Sequence, residues 1–387
     1  MNSHRCPAVP FAPGRYHAGM VRTPLVVPLM SGVRPLWGKT GHYTIASLAC
    51  GLVSPPGLRR LLAANADRIS LRMDGAAATA SPHVVEANRD LGFVPLADVP
   101  DLVWKNLPSA VKGGRDTAFR SGPEHPNHYA DIDEPLDGVT LRERCVQDPA
   151  NVAVPVWQDY YTRLGHTAPN ERGLLPFRVQ QFFSTLVDAV GRRDPVRFVA
   201  AAGLVAHYVG DACQPLHGSF LSNGRKDGTG EGVHSAYETT MVDRHTSQLV
   251  AGAEQAAQEW QAPSPVASGS ASAVAVVQLM DRSARAVDPA ALVDAYAAVA
   301  TKPGDASVAV TDALWERFGA ATSGLFADGA LTLAMVWESA WALAGGETAL
   351  PTEALAAIDP AALQALYEDP AFVPSLVLDE IGSVLTP

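Results

Sequence analysis

The chain has 387 residues, 47% hydrophobic and 18% charged, with a net charge of −11. That length and balance suit a globular protein with a sizeable core, and the negative charge excludes a broadly basic surface for coating nucleic acid. Four cysteines (Cys6, Cys50, Cys145, Cys213) show no CxxC spacing, which excludes a thiolate zinc site and leaves the redox compartment open.

Residues 1–36 carry Pro, Gly and Arg without periodicity. Met20-Val-Arg-Thr-Pro-Leu-Val-Val-Pro-Leu-Met resembles a short signal peptide, a basic residue ahead of an apolar stretch, although two prolines interrupt it. The segment is expected to be a leader or a disordered extension, and a leader implies a secreted or periplasmic protein. Its end abuts Trp37-Gly-Lys-Thr-Gly-His42, where a first helix is expected to start; Gly51 and Pro55-Pro56 punctuate its end. Helices are also predicted over 57–67 and 82–92. From Phe93 to Pro155 the chain is rich in Pro, Gly and Asp, and so long an irregular stretch in a compact domain is usually functional. It contains Leu-Ala-Asp98-Val-Pro-Asp101-Leu-Val-Trp-Lys105 and His125-Pro-Asn-His128-Tyr129-Ala-Asp-Ile-Asp.

Helical periodicity resumes at Leu174, with Phe177, Phe182, Phe183, Leu186 and Val190 on one apolar face. Asp194-Pro195 reads as an N-cap and first-turn proline. The helix that follows, Val196 to Cys213, leads into His217; a Gly-rich loop from Ser222 to Gly232 leads into His234-Ser-Ala-Tyr-Glu238. On a helix, residues four apart share a face. His207 with Asp211, and His234 with Glu238, therefore form two clips of imidazole and carboxylate, the mixed donor set that suits zinc. After a Pro/Ser/Ala linker over 261–272, Ala-rich helices are predicted at 271–286, 288–301, 307–320, 324–345 and 352–368. No convincing alternating strand appears, and no run of about eighteen apolar residues that would mark a membrane-spanning helix or a stable membrane anchor. The expected class is all-α, one multi-helix domain over 37–387 with its ligand-bearing part in 37–260.

The segments HYVGDACQPLH, GVHSAYE and HYADID together resemble the zinc-dependent superfamily of single-strand-specific nucleases and bacterial phospholipases C. The resemblance covers Trp37 to about Glu238. It implies a helical fold with up to three zinc ions in a cleft. His128, His207 and Asp211, with an upstream aspartate, would hold one ion. Asp211 would bridge to a second, held also by His42 and by the amine and carbonyl of Trp37. His217, His234 and Glu238 would hold the third. Asp101 is the favoured upstream aspartate, since Lys105 supplies the nearby basic residue, with Asp98 as the alternative. Thirty-six residues precede Trp37, so its amine becomes a ligand only if the chain is processed.

The implied reaction is hydrolysis of a phosphodiester by metal-activated water. Asp101 would orient the water, Lys105 would stabilise developing negative charge, and Tyr129 would offer a ring for stacking a base. The expected substrate is single-stranded nucleic acid or nucleotides, with a phosphatidylcholine-type head group as the alternative. A non-catalytic zinc-binding protein is the reading from another class. No protein partner is implied.

Overall fold

The computed structural model describes residues 39–70, 93–105 and 118–385. The N-terminal segment, Trp37 and the helix predicted over 82–92 lie outside them. Within the described residues the all-α expectation holds: the only extended pairings are two isolated bridges, Leu136 with Val139 and Ser222 with Gly224.

The helices of seven residues or more are α1 (Lys39–Leu52), α2 (Pro56–Ala64), α3 (Ala118–Glu124), α4 (Leu141–Gln147), α5 (Val154–Arg163), α6 (Leu175–Gly191), α7 (Pro195–Ala212), α8 (Thr246–Glu259), α9 (Gly269–Ala286), α10 (Pro289–Val299), α11 (Val308–Leu343) and α12 (Pro360–Glu368). Their starts follow local chemistry. Asp194 accepts from the Arg197 amide at 2.9 Å and Pro195 opens α7. Asp288 and Ser268 cap α10 and α9 in the same way, and Thr140 with Glu143 forms a capping box on α4.

Three sequence expectations need correction. The stretch from Phe93 to Pro155 is not irregular throughout: it holds α3, α4 and short turns at Leu96–Asp98, Pro100–Lys105 and His125–His128. Pro126 and Pro149 there sit in first turns, Asp148 caps the turn that Pro149 opens, and Pro123 lies inside α3. The helices predicted at 307–320 and 324–345 are one helix, α11. Gly324 does not end it; a Cβ there would lie 2.9 Å from the ring of Trp260, so the glycine admits a close neighbour. The second clip is also not carried by a regular helix: an α-turn, Val233–Ser235, runs into a π-helical turn, Ala236–Met241.

Helices α6 and α7 pack side by side, α9 lies against α6, and α11 runs past α1, α6, α7 and α8. Helix α11 is long and apolar enough to cross a membrane, but 89% of its most apolar window is buried inside the protein, as for a core helix. The indole of Trp337 donates to the Ala202 carbonyl at 3.2 Å and joins α11 to α7. Helix α7 thus sits in the middle, buried continuously from Phe198 to Ala212.

Candidate metal centre

Placing His207 and Asp211 on α7 puts them where no water reaches: both are fully buried. Four further elements converge on them. Helix α1 brings His42, the turn Pro100–Lys105 brings Asp101, the turn His125–His128 brings His128, and Pro215–Gly218 brings His217. His42 enters because residue 210 is glycine; a Cβ there would stand 2.8 Å from His42 Nδ1. The ring of His42 stacks on that of His207 with centroids 3.8 Å apart.

Hydrogen bonds on the outer side of the rings fix which nitrogen faces inward. His207 Nδ1 donates to the Ala97 carbonyl at 2.8 Å, His217 Nδ1 to the His128 carbonyl at 2.8 Å and His234 Nδ1 to the Ser222 carbonyl at 2.7 Å. A carbonyl only accepts, so each Nδ1 carries the proton and each Nε2 presents a lone pair. These lone pairs converge on one another and on carboxylates. His207 Nε2 lies 3.0 Å from His128 Nδ1 and 3.4 Å from Asp211 Oδ2; His128 Nδ1 lies 3.0 Å from the same oxygen. His217 Nε2 lies 3.5 Å from Glu238 Oε2, and His234 Nε2 is in close contact with that oxygen.

Three donor groups result, each with its atoms within 4.8 Å: His128, His207 and Asp211; His42, Asp101 and His207; and His217, His234 and Glu238. Asp211 Oδ1 lies 3.6 Å from His42 Nε2 and 3.4 Å from His217 Nδ1, the nitrogen that His217 turns to the His128 carbonyl. Both ring nitrogens of His42, Asp211 Oδ1, His217 Nε2 and Glu238 Oε1 are buried without a hydrogen-bond partner. Each such atom costs about 1–3 kcal/mol unless something satisfies it. Imidazole nitrogens and carboxyl oxygens converging in a dry pocket fit a divalent cation, and the residues present are of the type and number that hold one.

Burial dominates the titration of these groups. It holds the imidazoles of His42 and His128 well below the usual value, and lowers His207 as well. Burial brings His217 to about 4 despite the neighbouring Glu238. It raises Asp211 well above an ordinary carboxyl, helped by Asp101 and Glu238, and raises Glu238 to about 7. Burial works to raise Asp101 too, but Lys105, His207 and His128 together bring it below the usual value. Neutral imidazoles are ready ligands, while the two raised carboxyls hold protons that a cation displaces.

The structure thus gathers His42, Asp101, His128, His207, Asp211, His217, His234 and Glu238. Of the two upstream aspartates, Asp101 reaches the cluster, with Oδ1 3.7 Å from both His128 Nδ1 and His207 Nε2; Asp98 instead accepts from the Tyr43 hydroxyl at 3.4 Å. Lys105 Nζ stands 3.5 Å from Asp101 Oδ1 at the edge of the site. Trp37 lies outside the described residues. Tyr129 is corrected: a stacking platform needs an open ring face, and this side chain is buried, its hydroxyl donating to the Asn170 carbonyl. Sequence reading missed Glu124, whose Oε1 lies 3.3 Å from His128 Nε2. Its spacing of four from His128 repeats that of the two clips and was the available signal. It also missed Gln214, which donates to Glu238 at 3.1 Å.

Among known proteins, the chain is similar to a protein of Bradyrhizobium tropiciagri named a probable serine protease, 39% identical over 407 aligned positions that cover 94% of this chain. The chain spans about half, 51%, of that relative's length. No protein-family profile matches the chain, and no solved structure matches it. The relative's name is that of a peptide-bond hydrolase. It overturns the expectation of a zinc phosphodiesterase, and with it the nuclease and phospholipase C assignments. The motif likeness that suggested them concerns the donor residues, which many hydrolytic reactions can share.

Proposed function

We propose that this chain is a metal-dependent hydrolase, with zinc as the metal and up to three ions per chain, and that the bond it cleaves is a peptide bond. The observation that carries the metal is the set of inward lone pairs on His207, His217 and His234, each fixed by a carbonyl behind it. The peptide bond is brought by the name of the Bradyrhizobium relative. We assign the scaffold to the zinc superfamily that HYVGDACQPLH resembles, without its phosphodiester substrates. Export is proposed as well; sequencing the N-terminus of secreted protein tests it, and a mature chain starting at Trp37 is the expected result.

His128, His207, Asp211 and Asp101 would hold one ion, His42 and Asp211 a second, and His217, His234 and Glu238 a third. When bound, such ions lower the pKa of water to about 7 and polarise the scissile bond. The chain's own part is positioning and proton handling. Asp101, the most exposed member with 15% of its side chain accessible, is placed to accept a proton from attacking water. Lys105 beside it offsets negative charge that develops on the substrate oxygen. The remaining ligands are buried, and His207, His217 and His234 are held from behind, so these need little rearrangement as charge builds.

This reading differs from serine chemistry in what the imidazoles face: carboxylates, carbonyls and one another. The deciding assay follows cleavage of casein and of a peptide library by the purified chain. Activity should vanish with a chelator, return with added zinc and survive a fluorophosphonate that labels nucleophilic serines. Metal-free protein that keeps its activity and loses it to the fluorophosphonate would refute the proposal.

A further inference from the structure

Three ligand imidazoles of this site are tethered through their outer nitrogen to a main-chain carbonyl; the rings of His42 and His128 are not, and of these two His128 has a carboxylate behind it. Its Nδ1 faces the cluster while its Nε2 faces the carboxylate of Glu124, with Oε1 at 3.3 Å. The contact is within ion-pair range but is not aligned as a straight hydrogen bond, and such contacts commonly tighten when a site is filled. A carboxylate behind a ligand imidazole fixes its tautomer and raises its basicity.

Glu124 is itself fully buried, and its surroundings hold it in place. The Tyr208 hydroxyl donates to Oε1, the Ser375 hydroxyl donates to Oε2, and Arg178 Nη2 lies 3.4 Å from Oε2. Arg178 is also fully buried. It donates to the carbonyls of Val373 and Pro374 at 3.2 and 2.8 Å and lies over the Phe182 ring at 4.8 Å. Arg120, stacked on Trp104 at 3.9 Å, donates to the carbonyls of Asp369 and Phe372 at 2.6 and 3.1 Å. Two guanidiniums therefore staple residues 369–375 behind the carboxylate, and Ser375 completes the connection.

We infer that Glu124 is a positioning residue for His128, held in register by the C-terminal segment 369–375 through Arg178 and Ser375. The inference rests on the metal reading above. A Glu–Arg pair buried only for stability would make no difference to where the His128 proton sits. A positioning carboxylate holds that proton on Nε2 and leaves Nδ1 free to ligate.

The test uses the full chain, its Glu124→Gln variant and a Glu124→Gln, Arg178→Met double variant that leaves no buried charge unpaired if the single variant fails to fold. Cobalt(II) is titrated stepwise against a competing chelator and followed by its visible absorption. In parallel, nitrogen-15 NMR of the metal-free protein locates the imidazole protons. One equivalent of cobalt should bind about 10–100-fold more weakly in the folded variant, with the others unchanged, and the His128 proton should leave Nε2 in part of the population. Ser375→Ala should move both readouts in the same direction by less. A folded variant with wild-type affinity at every equivalent and an unmoved proton overturns the inference. If the wild-type chain binds no cobalt, the metal reading fails and the proton position alone decides the role of Glu124: displaced in the variant it stands, unmoved it falls.

Discussion

Helices α7 and α11 are both buried on nearly every side, yet they treat their polar groups differently. On α11 the buried groups are served within the protein. Asp328 takes a two-pronged contact from Arg282 at 2.7 and 2.8 Å, Thr322 meets the Tyr237 hydroxyl at 2.9 Å, and Ser323 donates to the Gly319 carbonyl at 3.1 Å. On α7, Asp211 Oδ1 has no hydrogen-bond donor, and His207 Nε2 is turned toward His128 Nδ1 and Asp211 Oδ2 inside the cluster. Burial is common to both, so burial is not the mark of the site. The mark is a buried donor set that the protein leaves uncompensated, which natural sequences tolerate at functional positions.

The comparison breaks first at α7. His207→Ala or Asp211→Asn should lose bound zinc and reduce hydrolysis to background while the helical circular dichroism stays; either variant retaining both metal and activity would refute the ligand assignment. Next comes Gly210→Ala, whose new methyl would press on His42 Nδ1. It should weaken the equivalent that involves His42 by tenfold or so, on the scale of a displaced outer-shell contact, and leave the group of His217, His234 and Glu238 intact. Titration calorimetry separates the two. On α11, Asp328→Asn should cost about 1–2 kcal/mol in urea unfolding, a partly exposed charge-assisted pair, with zinc stoichiometry unchanged. A loss of zinc there would erase the distinction between the two helices.

The smallest effect is one of pH. Burial raises the folded Glu238 carboxyl from 4.5 to about 7, so the folded protein binds that proton more tightly than the unfolded chain does. The carboxyl's contribution is then fully present below about 4.5 and is lost as pH rises through 7. His217, brought to about 4, is already neutral over that range and does not compete. On the proposed reading zinc would displace the Glu238 proton, so the rise in melting temperature on adding zinc should be larger at pH 7.5 than at pH 5.5. Equal shifts at the two pH values would show that this carboxyl does not ligate.

Much of the site was legible because its spacing is local. The pairs His207 with Asp211 and His234 with Glu238 announce themselves by a period that any helix imposes, and α7 was marked by Asp194-Pro195. What brings α1 and the turns around Asp101 and His128 to α7 is tertiary and leaves no such period. Only the resemblance gathered those residues beforehand. The long stretch from Phe93 to Pro155 misled because prolines counted as breakers sit in first turns (Pro126, Pro149) or inside a helix (Pro123) there; Gly324 misled because its task is contact with Trp260. The substrate was the least legible of all. Donor residues state which cation fits, and the bond to be cleaved depends on surfaces that motif spacing does not encode.

The carbonyl tethers behind His207, His217 and His234 have a consequence for how this protein tolerates change. Main-chain oxygens are supplied by every amino acid, so the tethers themselves ask nothing of the side chains at 97 and 222, although burial in the core keeps Ala97 small. What cannot drift is the path of the chain through those points. Insertions or deletions of a single residue near Ala97 or Ser222 should loosen the imidazoles more than small side-chain replacements there.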